Sequence, residues 1–338
     1  MTLDAAELAM LTDTLRRTLS RASGQELVTA LGELGWPDLL DDAPELAVPL
    51  VFRLLGETGA HAPLLLDVLR HAGAAPSALP FAGGRWVEWA ESPPAGGPGA
   101  NSRNSGGPGA NSRNSGGAGA DGHRPDGEGT GDGHPPGSVD EALPLRAVAA
   151  GATLPAHALA EGRRALGWWL LGTGHAMLAL ARTHVLERTQ FGRPLASFQA
   201  VRHRLAETLV ALDGAEAALL VADEAAAAAR QPNGDNATGV SPAGNGGGTP
   251  TVHGLEPAEA ATHAALLAKA AAGQAGLTAA RHCQQVLGGI GFTAEHALQS
   301  HVRRTLVLDG LLGSTRELTR EAGAYIRKSG AAPRLAQL

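Results

Sequence analysis

The sequence predicts a mainly α-helical protein, and three observations carry that expectation. Apolar residues recur at helical spacing over most of the chain. The glycine-rich tracts that interrupt this pattern offer almost nothing to bury. Only two short stretches alternate apolar and polar residues, or run apolar, as strands do. Much of the glycine (46 residues) lies in the two interrupting tracts, so the folded part is well short of 338 residues. A net charge of −6 points away from a nucleic-acid or anionic-membrane surface. The single cysteine, Cys283, excludes an internal disulfide and a multi-cysteine zinc site. No apolar run approaches the roughly 20 residues of a membrane span. The first residues carry Asp4 and Glu7 and no basic stretch, so we read no signal peptide there and expect a cytoplasmic protein.

Taken in order, Leu3, Leu8, Leu11, Leu15 and Leu19 lie close to one helical face over 3–20. Leu27, Leu31 and Leu34 repeat the pattern over 24–34. Gly35-Trp36-Pro37 is expected to stop that helix, because proline lacks an N–H and disfavours helix just before itself. Residues 45–70 read as two more helices broken near Gly59 and Pro63, which completes an N-terminal helical unit over 1–80. FAGGRWVEWA (81–90) sets Trp86 and Glu88 against Val87 and Trp89, as a short strand does. GGPGANSRNS then occurs at 96–105 and unaltered at 106–115, within a Gly-rich linker over 93–138 that is too polar for a solenoid repeat. Residues 142–159 read as one or two strands leading into a helix, so 81–157 is a reduced β segment.

From Glu161 the helical signal is strong. Leu166, Trp169, Leu170, Thr173, Met177 and Leu180 share a face, and the helix ends near Glu187-Arg188. A connector with Gly192 and Pro194 follows, then a near-heptad stripe of Phe198, Val201, Leu205, Leu209, Leu212, Ala215, Leu219 and Ala222. A second flexible insertion covers 231–256. Further helices are expected at about 257–287, 295–309 and 314–328. Long antiparallel helices with a continuous apolar seam make a bundle over 158–330 the natural solution.

Three segments then stand out: Glu187-Arg188-Thr189-Gln190-Phe191-Gly192-Arg193-Pro194 with Phe198-Gln199 after it, Gln285-Val286-Leu287-Gly288-Gly289-Ile290-Gly291-Phe292 with Glu295 after it, and LDGLLGSTRE from 308. In this order and spacing they resemble the C-terminal four-helix domain of the acyl-CoA dehydrogenase family. The N-terminal helices fit it more loosely, so the resemblance covers about two thirds of the chain. It implies FAD-dependent α,β-desaturation of an acyl-CoA thioester, with a carboxylate removing the α-proton while hydride leaves Cβ for the flavin. It also implies an oligomer in which one subunit's C-terminal helices hold the adenosine end of a neighbour's FAD. Arg188, Gln190, Phe191, Gln285, Gly288, Gly289 and Ser314 are then the cofactor-facing candidates, and Arg163 the substrate-facing one. Read without the resemblance, Arg188 is a charged helix end, Phe191 a core plug and Gly288-Gly289 a helix cap. Ser314 and Glu317 have the spacing of a capping box, and a helix start favours an anion.

Two departures shape the reading. Where the family's turn carries its catalytic glutamate, this sequence has Leu312, which cannot accept a proton. The family's other base position, on the helix before the first segment, matches Gly162, with Glu161 one residue away and so rotated by about 100°. The middle β-barrel that covers the flavin in the family is mostly replaced by the Gly-rich linker. Together these resemble the base-less subunit of heteromeric acyl-CoA dehydrogenases of actinobacterial sterol side-chain degradation, which implies a partner subunit that supplies the base. Two alternatives stand beside this: a structural subunit without flavin, and an active homomer that uses Glu161.

Overall fold

The computed structural model describes residues 4–90, 140, 143–230 and 256–329. The Gly-rich linker expected at 93–138 lies outside the described residues, as does all of the 231–256 insertion except Glu256.

Five helices open the chain: α1 (Ala5–Leu19), α2 (Gln25–Glu33), α3 (Trp36–Asp42), α4 (Pro44–Thr58) and α5 (Leu64–His71). Helix α1 starts on a reciprocal cap. The Asp4 carboxylate accepts the Ala6 and Glu7 N–H groups, and Glu7 accepts the Asp4 N–H at 2.8 Å. Helix α3 corrects the expectation that Gly35-Trp36-Pro37 only stops a helix. Gly35 turns the chain at φ 80°, and Pro37 then falls in the first turn of the next helix, where its missing N–H is not needed.

Three strands follow: β1 (Leu79–Phe81), β2 (Arg85–Trp89) and β3 (Leu145–Val148). They form an antiparallel sheet in that order, with Phe81 opposite Arg85 and Trp86 opposite Val148. A bridge from Phe81 to Leu311 extends the sheet on the β1 side. The reduced β segment is therefore stitched by its main chain onto the turn before the last helix.

The bundle consists of α6 (Ala156–Glu187), α7 (Gln199–Arg230), α8 (Pro257–Leu287), α9 (Leu298–Gly310) and α10 (Thr315–Ser329). Strands β4 (Thr189–Gln190) and β5 (Arg193–Pro194) make a tight hairpin between α6 and α7. Helix α6 is central: every residue from Gly162 to Gly174 is buried. Helix α7 buries Thr208, Leu212, Ala215, Leu219, Ala222 and Ala226, so the expected stripe holds from Leu212 to Ala222, whereas Phe198, Val201 and Leu205 are half-buried and Leu209 is exposed. Helix α4 crosses α6 at a glycine contact. A Cβ on Gly56 would stand 2.4 Å from the Trp169 carbonyl oxygen, and one on Gly172 would stand 2.0 Å from that of Arg53. One hydrophobic cluster consequently runs from Leu15 in α1 to Leu312 beyond α9. The mainly helical class with a reduced sheet is what the structure shows, and no described helix is long and apolar enough to cross a membrane.

Candidate functional site

The turn from Asp309 to Ser314 joins α9 to α10, and all its neighbours grip it. Leu312 donates its N–H to Pro80 O of β1 at 2.9 Å, and its carbonyl accepts Arg163 Nε from α6 at 3.1 Å. The Asp309 carboxylate accepts the Thr315 N–H at 3.0 Å and the Thr315 hydroxyl at 2.5 Å. Asp309 is half-buried and caps α10. Leu312 is 1% exposed and holds φ at 55°, a left-handed conformation that costs a non-glycine residue about 1–2 kcal/mol.

The Leu312 side chain points at Gly162. A Cβ placed on Gly162 would meet Leu312 Cδ1 at 2.6 Å, Leu69 Cδ2 at 3.0 Å and Leu65 Cδ1 at 3.7 Å. The two positions at which a base is expected are thus one place in space, and three leucine side chains, two from α5 and one from the turn, fill it against Gly162 of α6. Glu161 faces elsewhere. Its carboxylate pairs with Arg164 and, at 3.3 Å, with Arg230. Arg164 in turn donates to Asp223 at 2.6 Å, so Glu161 belongs to a charged seam between α6 and α7. Arg163 is buried and spends its guanidinium on Leu312 O and, at 3.3 Å, on Glu321 of α10. Burial pushes its pKa down, and Glu321 counters that.

Ser314 stands at this same turn. Its N–H and hydroxyl both reach Glu317 Oε2, at 2.9 and 2.8 Å, so the expected capping box forms. The other Glu317 oxygen accepts the Gly83 N–H at 2.8 Å. These bonds hold the Glu317 carboxyl below the usual carboxylate range. The start of α10 is therefore already supplied with two carboxylates from its own chain, Asp309 and Glu317.

The remaining candidates lie at the opposite end of α6. Between Arg163 and Arg188 lie 25 positions, which at 1.5 Å per residue is roughly 37 Å. Arg188 caps α6, with its N–H on His184 O and its carbonyl accepting the Leu195 N–H, each at 2.8 Å, and its side chain is exposed. Gln190 is exposed beside it. Phe191 is 91% exposed at φ 53°, which corrects the reading of it as a core plug. Its ring meets Phe198 edge-on with centroids 6.2 Å apart, and Arg193 lies 4.1 Å over Phe198. Helix α8 runs alongside α6, as the shared cluster of Met177, Ala181, Ala279, Ala280 and Cys283 shows. Its last turn brings exposed Gln285 to the same end, and the 3-10 turn that follows (Gly288–Phe292) adds Gly288, exposed Gly289, Ile290 and Phe292, which is 63% exposed. The predicted site residues thus form two groups that one dinucleotide cannot span.

The comparisons with known proteins bear on the helices that frame these groups. Residues 149–241, which include α6, the β4–β5 hairpin and α7, match the acyl-CoA dehydrogenase C-terminal domain. The chain is 31% identical over 159 residues to acyl-CoA dehydrogenase IpdE2 of Mycobacterium tuberculosis, covering 47% of this chain and 39% of that protein. Over these helices the chain is similar to acyl-CoA dehydrogenases. A second relative, acyl-CoA dehydrogenase FadE34 of the same organism, is 32% identical over 48% of this chain and 18% of its own length. The chain thus spans well under half the length of the curated relatives it matches. The fold is also that of a solved steroid acyl-CoA dehydrogenase, Tcur3481-Tcur3483 (G363A variant). Its TM-score is 0.60 at 16% identity, covering 96% of this chain and 99% of that one.

Two features of this site escape a reading of the sequence. Lys269 of α8 lies buried under the turn. Arg304 of α9 ties the bundle to distant segments. It pairs with the buried Asp140 carboxylate and donates to Ala60 O at 2.9 Å. Only the tertiary fold brings residues 60, 140 and 304 together.

Proposed function

We propose that this chain is a base-less subunit of a heteromeric acyl-CoA dehydrogenase. On this reading it helps to bind FAD, and a partner subunit supplies the carboxylate that removes the α-proton from the thioester. The observation that carries the reading is the contact of Leu312 with Gly162. Both base positions are occupied by groups that cannot take a proton, and the space between them is closed by Leu65 and Leu69.

The residues present suit one end of a dinucleotide. An exposed aromatic ring on a left-handed backbone, an exposed guanidinium and two exposed amides gather at one end of the bundle, where a neighbouring subunit's cofactor can lie on them. Phe191 would stack on the adenosine portion, Arg188 would meet diphosphate oxygens with its planar fork of donors, and Gln190 and Gln285 would hydrogen-bond. Gly288 and Gly289 would let the backbone approach closely. FAD, when bound, supplies the hydride acceptor. The separation of this group from the Leu312 turn favours a cofactor shared between subunits, because the two groups cannot both touch one FAD within a single chain. Arg163, engaged by the turn and by Glu321, serves on this reading to shape the surface that faces the partner.

One observation favours a second reading. Ser314 and the first N–H groups of α10 are already bonded to Glu317 and Asp309, so the turn needs no bound anion, as suits a structural subunit without flavin. The visible absorption of oxidised flavin separates the two. The chain is purified alone and together with a dehydrogenase subunit encoded beside it. Flavin retained only with the partner supports the heteromer, and a colourless complex supports the structural reading.

A further inference from the structure

Helix α8 buries a lysine where an alanine-rich face would suffice. Lys269 is 0% exposed. Its Nζ donates to two main-chain carbonyls, Asp309 O at 2.8 Å and Gly313 O at 2.5 Å. These carbonyls stand at the two ends of the turn that carries Leu312. Burial drives the lysine pKa down to about 7; the charges around it are Asp309 of α9 and Glu317 of α10, which hold it up, and Arg163 of α6, which pushes it down. A buried ammonium is costly unless its protons are taken, and here they are taken by the turn.

The same turn contains two residues at positive φ, Leu312 at 55° and Gly313 at 102°. Strain of this kind persists only where the surroundings over-determine it. The surroundings do so from four sides: Pro80 on the Leu312 N–H, Arg163 on the Leu312 carbonyl, Asp309 on Thr315, and Lys269 beneath. A plain connector between two helices needs none of this. We propose that Lys269 is a positioning residue: by clamping the carbonyls of Asp309 and Gly313 it presets the turn, and with it half-exposed Gly313 and Ser314, for contact with the cofactor. The last clause rests on the flavin-binding reading above, whereas the clamp itself does not.

Backbone amide exchange in the full chain tests the clamp. Lys269→Met keeps the aliphatic stem and removes the ammonium. Two charge-assisted bonds are lost, so the segment from Asp309 to Thr315 is expected to exchange at least about tenfold faster, with α7 unchanged. Chemical restoration of the ammonium returns the slow exchange: Lys269→Cys in a Cys283→Ala background, alkylated with bromoethylamine while unfolded and then refolded. A role in packing alone is met by methionine and predicts no change in the turn. Should Lys269→Met not fold, a pH series on the unaltered chain decides. Between pH 6 and 9 the turn's exchange, corrected for its intrinsic pH dependence, rises as the clamp loses its charge. Unchanged turn exchange in the variant, or a flat pH series, overturns the proposal. Titration of FAD into the complex of this chain and its partner separates the two readings. A loosened turn with at least tenfold weaker FAD binding supports both, and a loosened turn with unaltered FAD affinity keeps the clamp and refutes the turn's contact with flavin.

Discussion

The contact between Gly162 and Leu312 makes a quantitative prediction through a double-mutant cycle. Gly162→Ala gains about 1 kcal/mol of helix propensity. Its new methyl stands 2.6 Å from Leu312 Cδ1, and overpacking of this kind costs about 1–3 kcal/mol, so the single variant is expected to be neutral to about 2 kcal/mol less stable. Leu312→Ala empties a site that is 1% exposed and is expected to cost about 2–5 kcal/mol. Alanine is no better suited than leucine to φ 55°, so backbone strain cancels from the comparison. In the double variant the methyl at 162 grows into the space left at 312. The combined loss should then fall short of the sum of the single losses by about 1–2 kcal/mol, within the range found for residues in contact. Urea unfolding of the isolated chain, followed by circular dichroism with the slope held common, measures all four proteins. Additivity within about 0.5 kcal/mol would refute the reasoning, because it would mean that the two base positions do not meet.

Three further outcomes follow from the same geometry. Gly56→Ala and Gly172→Ala each force a methyl to within 2.4 Å or less of backbone atoms of the facing helix, which cannot give as a side chain can, so each should lower stability by more than the approximately 1–3 kcal/mol usual for overpacking, with a lower urea midpoint. Arg304→Met breaks the buried ion pair with Asp140 and should cost about 3–5 kcal/mol at pH 7, seen in the same assay. His301 is 9% exposed, and burial, with Arg304 next, pushes its pKa from 6.5 down to about 4 while Asp140 opposes them. Its folded pKa lies below its unfolded one, so the unfolded chain binds the extra proton. Stability from this group is full above pH 6.5 and is lost as the pH falls from 6.5 towards 4, by about 3 kcal/mol in all. His301→Gln should flatten that slope, and an unaltered slope would show that another group titrates there.

Much of this fold is legible in local pattern. The stripe Leu212, Ala215, Leu219 and Ala222 is visible in the sequence as a heptad and is buried as one. Helix α8 spans the expected 257–287 because its alanines and leucines keep one period throughout. Helix α3 was hidden because a Gly-Trp-Pro stop reads the same whether a loop or a new helix follows. The site was legible one residue at a time but not as a place. Leu312 and Gly162 each differ from the family pattern on their own, yet their contact depends on α6, the turn and α5 coming together across 150 residues of chain. The family resemblance implies ligand contacts for Arg163 and Ser314, and a helix start favours an anion. Nothing local told that Leu312 O, Glu321 and Glu317 would take their hydrogen bonds first. Lys269 did leave a trace: it falls in register with Ala265, Ala272 and Gly276 on the buried face of α8.

The most direct test asks whether the isolated chain desaturates a thioester. Purified without any other dehydrogenase subunit, supplied with excess FAD and an artificial electron acceptor, it is offered fatty and steroidal acyl-CoA esters, and enoyl-CoA is followed by mass. The account predicts no product above the uncatalysed rate, and product only when a subunit bearing a carboxylate at the equivalent turn is added. Steady turnover by the chain alone, abolished by Glu161→Gln, would contradict it.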